Sequence, residues 1–101
     1  MEKVIRNGKV AVLISPGYGA GFYTWGAPLE AIFHPTLVDL IEKEQIQEAI
    51  EFVKLMWPEA YTGGVKNLTI QWLDEGEQFQ IDEYDGSESL IEVGNTNWIT
   101  A

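Results

Sequence analysis

Residues 4–14, VIRNGKVAVLI, begin the fold as a predicted β-hairpin. Asn7-Gly8 separates two apolar runs, and Asn-Gly is the strongest short-range hairpin signal because both turn positions need a positive φ. With a two-residue loop, Arg6 and Lys9 lie opposite each other across the strand pair. Like charges repel at such a position. The pair therefore either contributes to an anion-binding site or extends into water.

Beyond the hairpin, the sequence predicts two helices followed by strands. Residues 29–33 form a short apolar segment of about one helical turn, and Pro35 suits the first position of a helix. A second helix is predicted from about residue 45 to 57, where apolar residues recur at helical spacing. Apolar alternation over residues 68–93 predicts three strands, and Asp85-Gly86 repeats the hairpin-turn chemistry. Trp98-Ile99 is expected to add a last short edge.

Element order and length predict one domain over residues 1–101. The order ββ-αα-βββ favours an α+β fold, with an antiparallel sheet of about five strands and two helices packed on one face. The apolar fraction is 46%, which is typical of a globular chain. We expect a cytoplasmic protein, because no apolar run approaches the ~20 residues of a membrane span and the N-terminal segment has no signal-peptide core.

Charge composition limits the range of partners. The chain has a formal net charge of −10, and residues 67–101 contain eight acidic residues and no basic one. Such a surface repels phosphate backbones, so we expect no binding to long nucleic acids. Two interpretations remain open for the acidic segment: a solvated face that keeps the protein soluble, or a face that competes for a basic protein partner.

Residues 15–25, SPGYGAGFYTW, form the most unusual segment, here called the glycine loop. Its glycines let backbone N–H groups converge on an anion or approach a flat ligand, although the spacing matches neither the dinucleotide fingerprint nor a phosphate loop. Its aromatic rings suit stacking on a nucleotide base. The alternative is a sharp turn that directs the aromatic rings into the core. The candidate ligand-binding residues are Arg6, Lys9, Ser15, Gly17, Tyr18, Gly19, Gly21, Tyr23 and Trp25.

Few residue types suited to catalysis occur in the chain. There is no cysteine, and His34, the one histidine, precedes Pro35 at a helix start, where a cap or a packed side chain is the usual role. Residues 82–88 are rich in carboxylates but lack the alternating spacing of a calcium loop. We therefore expect no enzyme activity, no metal and no cofactor. Carboxylate chemistry on a nucleotide is the remaining enzymatic alternative.

Two segments resemble a family of small phage and prophage proteins. These are the hairpin with the SPG-x-GAG motif at residues 15–21, and the EYDGSES turn at residues 83–89. The resemblance implies a phage origin, and the chain is similar in character to viral sponges that sequester nucleotide signals of host defence. It implies a homo-oligomer in the infected bacterium that holds a cyclic oligonucleotide or an ADP-ribose derivative without cleaving it. The alternative is an acidic decoy that blocks a basic groove of a bacterial immune effector.

Overall fold

A computed structural model of the chain describes residues 1–17, 20–91 and 99–101. No helix within these ranges is long and apolar enough to cross a bilayer. Two short 3₁₀ turns accompany the regular elements. The strands are β1 (Ile5–Arg6), β2 (Lys9–Ile14), β3 (Thr69–Asp74), β4 (Gln78–Tyr84), β5 (Ser87–Ile91) and β6 (Ile99–Thr100); the helices are α1 (Leu29–Phe33), α2 (Pro35–Glu42) and α3 (Ile46–Met56); the 3₁₀ turns are Tyr23–Trp25 and Val65–Asn67.

The α+β class is confirmed, but the single sheet of about five strands is wrong. The described strands form two three-stranded antiparallel sheets, in the orders β1-β2-β3 and β5-β4-β6. Three helices are present in the described residues rather than two, because residues 29–33 complete a helix of their own before Pro35 begins the next. The strand predictions at Val93 and Trp98 lie outside the described residues.

The C-terminal segment is the physical reason that the two sheets separate. β3 and β4 follow each other through a tight turn at Gly76 (φ +88°), yet they do not pair. β6 pairs with the first residues of β4 instead. Ala101 then donates to the Glu77 carbonyl at 2.8 Å and accepts from the Gly76 amide at 2.7 Å. At Gln78 and Phe79, the part of β4 nearest the turn, the edge that would face β3 is therefore already occupied.

Both predicted hairpin turns are confirmed. Asn7 and Gly8 have φ values of 53° and 76°, and Asp85 and Gly86 have 52° and 84°. The two-residue turn at Asn7-Gly8 places Arg6 opposite Lys9, as expected. These turns set the register of the β1-β2 and β4-β5 pairs, because a two-residue loop leaves no freedom to slip.

The core forms around β2, whose residues Val10 to Ile14 are buried on both faces. Phe33 of α1 meets Phe79 of β4 edge-on, with ring centroids 6.3 Å apart, so this contact joins a helix to the second sheet. α2 begins at Pro35, and the His34 ring caps it by accepting the Thr36 amide at Nδ1. Burying each aromatic ring of this size stabilises the fold by roughly 1.5–3 kcal/mol.

Candidate functional site

The glycine loop leaves the first sheet at Ser15, where it meets β5 of the second sheet. The Glu88 amide donates to the Ser15 carbonyl at 2.8 Å, and the Ser15 amide donates to Glu88 Oε1 at 2.8 Å. Ser87 Oγ adds a third tie, a 2.6 Å hydrogen bond to the Pro16 carbonyl. The loop is thus bound to the acidic hairpin, and the two features that the sequence offered as separate functional surfaces contact each other.

The carboxylate of Glu88 is enclosed by the loop. The residue is 1% exposed, and its Oε2 accepts the Phe22 amide at 2.9 Å and the Thr24 amide at 2.8 Å. The Thr24 hydroxyl donates to the same oxygen at 2.7 Å. Within the described residues, Glu88 forms no salt bridge. A buried carboxylate is unfavourable unless hydrogen bonds replace its hydration. Neutral donors of the loop supply that replacement here.

Glu83 lies directly opposite Glu88 in the β4-β5 pair. Its Oε2 accepts the Gly86 amide at 2.7 Å and the Trp25 indole Nε1 at 3.2 Å. It therefore caps the Asp85-Gly86 turn and orients the Trp25 ring. Two carboxylates at opposed positions repel each other, but each of these is held by its own set of donors.

Close backbone contacts explain several of the glycines. A Cβ on Gly64 would lie 2.5 Å from the Gly21 carbonyl oxygen, and a Cβ on Gly17 would overlap the Asn67 amide group. Ser15 Oγ lies 3.0 Å from the Ala20 carbonyl and 3.1 Å from the Gly64 carbonyl, to which it donates. The glycines here allow the loop to pack against residues 63–67 without intervening side chains.

The aromatic residues after the glycines point in different directions. Phe22 is fully buried, and Tyr23 packs half-buried against the core. Trp25 is 37% exposed and contacts Tyr61, itself 49% exposed, with ring centroids 5.2 Å apart and planes tilted by 58°. One ring therefore enters the core, as the sharp-turn interpretation expects, whereas Trp25 and Tyr61, here called the aromatic pair, remain open to solvent.

A cavity of about 390 Å³ is lined by residues that neighbour the aromatic pair in sequence. Gly26 follows Trp25, Ala60 precedes Tyr61, and both line this cavity. Its volume lies in the range of small-molecule sites. We call it the apolar cavity; it is lined by Gly26, Pro28, Met56, Trp57, Pro58, Glu59 and Ala60.

A second cavity of about 440 Å³ contains His34. The His34 ring packs against Phe52 and Trp57, with centroids 5.1 and 5.6 Å away. Its Nδ1 accepts a backbone amide, so a neutral ring carries its proton on Nε2. Trp57 Nε1 donates to Glu30 Oε1 at 2.9 Å at the same place. The expected roles of His34, a cap and a packed side chain, are confirmed.

Three of the expected ligand-binding residues do not present their polar groups to solvent at the loop: Ser15, Arg6 and Lys9. The Ser15 hydroxyl is buried and donates to backbone carbonyls rather than toward solvent. Arg6 and Lys9 lie at the opposite end of β2 from Ser15, about 20 Å away at ~3.3 Å per residue. One chain therefore does not bring these cations to the loop. Tyr18 and Gly19 lie outside the described residues.

Both cations also have carboxylate partners. The Arg6 guanidinium donates to both Glu42 oxygens, at 2.5 and 2.8 Å. This hydrogen bonding, with the charge attraction, raises the pKa of Arg6 and lowers the pKa of Glu42 from its ordinary value. Lys9 pairs with Asp74 at 2.7 Å, across the β2-β3 ladder. These exposed pairs hold the hairpin to its neighbours weakly.

Sequence reasoning did not connect Glu88, Thr24 or Tyr61 with the glycine loop, and it considered Glu83 only as part of the acidic decoy surface, although a signal for the two acids was present. Strand alternation places Glu83 on the same face of β4 as Ile81, and Glu88 on the same face of β5 as Leu90. An acid on the apolar face of a strand indicates a buried, partnered carboxylate. Glu88 fits this rule, whereas Glu83 is partnered but exposed. No comparable local signal pointed to Tyr61, which reaches Trp25 only through the tertiary fold.

Comparison with protein-family models, with curated proteins and with solved structures finds no match for this chain. In the described ranges, no group of three or more His, Asp or Glu side chains is placed to hold a metal ion.

Proposed function

We propose that this protein is a phage anti-defence protein that binds and sequesters a small nucleotide immune signal without cleaving it, in the cytoplasm of the infected bacterium. The observation that carries the proposal is the solvent-open aromatic pair beside the apolar cavity. Exposed rings held in contact by Glu83 and by close backbone packing lose little freedom when a flat ligand stacks on them. Base stacking on such rings contributes ~1–3 kcal/mol.

Positive charge for the ligand's phosphate comes from Lys66 in this proposal. Lys66 is exposed and forms no ion pair with a described residue. It lies between Val65 and Asn67 in the 3₁₀ turn, and Asn67 borders Gly17 of the loop. The net charge of −10 opposes a phosphate at long range, but salt screens such repulsion beyond about 8 Å. A homo-oligomer extends the proposal, because a second copy would cover the open side of the aromatic pair.

Removing either ring of the aromatic pair is expected to weaken nucleotide binding. A thermal-shift screen against cyclic dinucleotides, cyclic trinucleotides and cyclic ADP-ribose isomers identifies the ligand. Trp25→Ala and Tyr61→Ala should then each lower its affinity by roughly 5- to 150-fold, the loss of one stacking contact. Chromatography of the released ligand should recover it intact.

Trp72→Ala is the matched control for this test. Trp72 is also 37% exposed, but it lies on β3 with the Arg6 guanidinium 5.4 Å from its ring. Its replacement should leave nucleotide affinity unchanged. Equal affinity in wild type, Trp25→Ala and Tyr61→Ala would overturn the assignment of the site. A failure of every nucleotide to raise the melting temperature would overturn the function.

A decoy that blocks a basic groove of an immune effector is the second candidate function. The observation that favours it is the outer face of the β4-β5 hairpin, where Asp82, Tyr84 and Asp85 are exposed and Tyr84 is 75% accessible. Within the described part of the chain, neither aspartate forms a salt bridge. Tyrosine among charged groups is typical of protein-binding surfaces.

Neutralising the outer face of this hairpin tests the decoy. Asp82→Asn with Asp85→Asn should abolish salt-sensitive binding to a nucleic-acid-binding effector, measured by titration calorimetry at two ionic strengths. Glu48→Gln with Glu51→Gln removes the same charge from α3, where both residues are exposed, and should leave binding intact. Equal binding by both double variants would exclude this hairpin as the interface.

A further inference from the structure

The groups that surround Glu88 converge from one short segment of the chain. Three amides, of Ser15, Phe22 and Thr24, and the Thr24 hydroxyl donate to one carboxylate at 2.7–2.9 Å. All four donors are neutral and belong to residues 15–24, whereas the acceptor comes from another strand. Converging backbone amides of this kind are the usual construction of an anion site in proteins.

Contacts that do not involve Glu88 hold these donors in place. Ser15 follows β2 directly, and its hydroxyl ties the strand end to Ala20 and Gly64. Phe22 is fully buried, and its carbonyl accepts the Trp25 and Ala27 amides at 3.2 and 3.1 Å. The donors of Ser15 and Phe22 therefore have supports that do not depend on Glu88.

Glu88 lies close to the turn of the β4-β5 hairpin, and this turn end of the hairpin contacts the donors. Its strand, β5, begins at Ser87, directly after the Asp85-Gly86 turn. Two further hydrogen bonds join this end of the hairpin to the loop entrance: the Glu88 amide donates to the Ser15 carbonyl, and the Ser87 hydroxyl donates to the Pro16 carbonyl. Displacement of the first residues of β5 would thus uncover the donors.

We propose that the amides of Ser15, Phe22 and Thr24, with the Thr24 hydroxyl, form an oxyanion receptor. Glu88 is its intramolecular occupant, and a carboxylate or phosphate from a ligand takes the place of Glu88 when the start of β5 moves away. An occupant tethered to the same chain competes at high effective concentration. The wild-type protein therefore binds free oxyanions weakly, and removal of Glu88 exposes the site. Only the identity of the natural oxyanion, a nucleotide phosphate, rests on the proposed function.

Glu88→Ala with acetate as the probe tests the receptor. This substitution removes a CH₂–COO⁻ group, and acetate has the same non-hydrogen atoms. In sodium acetate, the melting temperature of the variant should exceed its value in sodium chloride of equal ionic strength. The rise should follow the logarithm of acetate concentration above the dissociation constant, and reach about 5 °C or more when acetate is ten times that constant. The amide resonances of Ser15, Phe22 and Thr24 should shift in the variant and return as acetate is added.

Four controls separate a site from a general salt effect. Wild type and Asp82→Ala, which lacks an exposed carboxylate on β4, should not respond to acetate beyond chloride. Glu88→Gln keeps the cavity filled and should not respond either. Glu88→Ala combined with Thr24→Ala should respond less, because the hydroxyl that donates to the oxyanion is lost.

Equal stability of Glu88→Ala in acetate and chloride would overturn the receptor, as would an equal acetate response in Glu88→Gln. If Glu88→Ala is unfolded in chloride, circular dichroism provides the same test: acetate should refold it, and failure to refold it overturns the receptor. Nucleoside monophosphates form a separate arm. A response to acetate with none to any nucleotide leaves the receptor in place and counts against the nucleotide function.

Discussion

Glu88→Gln is expected to lower the free energy of unfolding by about 3 kcal/mol at neutral pH. The amide has the size of the carboxylate, so packing is retained. Its NH₂ group, however, must face either the Ser15 amide or the three donors of Phe22 and Thr24, and a donor facing a donor leaves both unsatisfied. Urea unfolding followed by tryptophan fluorescence measures the loss.

Glu83→Gln is the matched control for this prediction. Glu83 lies opposite Glu88 in the same strand pair, but it is exposed and accepts only from Gly86 and Trp25. We expect a loss of about 1 kcal/mol or less, because water replaces the missing interactions. A loss below about 1 kcal/mol in Glu88→Gln would contradict the view that the buried carboxylate satisfies all four donors of Ser15, Phe22 and Thr24.

Gly64→Ala is expected to destabilise the protein by about 2–3 kcal/mol. Gly64 has φ −88° and ψ −7°, a conformation that alanine adopts freely, so backbone strain does not contribute. The added Cβ would lie 2.5 Å from the Gly21 carbonyl oxygen and 3.0 Å from Ser15 Oγ. These are backbone and buried atoms that cannot move without displacing the loop. Thermal unfolding of the purified variant provides the measurement.

Gly63→Ala provides the comparison within the same turn. Its added Cβ would overlap the Tyr61 ring, which is half exposed and can swing away. We expect a loss of less than about 1 kcal/mol in stability. Nucleotide affinity should fall nonetheless, because the aromatic pair is displaced. If Gly63→Ala and Gly64→Ala unfold at the same temperature, the close approach of Gly64 to the Gly21 backbone is not the cause of the destabilisation by Gly64→Ala.

The sequence could reveal the acidic hairpin and the glycine loop, but not their contact. Each has a local signature: Asp85-Gly86 between alternating residues, and Gly17 to Gly21 before aromatic rings. The Ser15 amide, however, meets Glu88 across 73 positions of sequence. Because both segments had attributes of a binding surface, separate roles were a reasonable expectation. In the structure, the loop amides bind Glu88 of the hairpin, and the Ser87 hydroxyl of the hairpin binds the loop at Pro16.

The sequence predicted the positions of Arg6 and Lys9 in the hairpin, but not their partners. The turn at Asn7-Gly8 predicted that Arg6 faces Lys9, and the strand pair has this register. The turn says nothing of what lies beside the hairpin. Glu42 of α2 and Asp74 of β3 approach it only after the helices pack and β3 joins β2. Both cations therefore have partners that are 36 and 65 positions away along the chain.

By itself the sequence determined the local conformations of this protein. Asn7-Gly8 and Asp85-Gly86 specify their turns, and His34-Pro35 specifies a helix start, because these preferences depend on a few neighbouring residues. The tertiary structure alone decided that β6 takes the edge of β4, that the sheets separate, and that the loop amides close around Glu88. Those outcomes depend on which distant groups satisfy buried hydrogen bonds, and such groups compete only once the chain is compact.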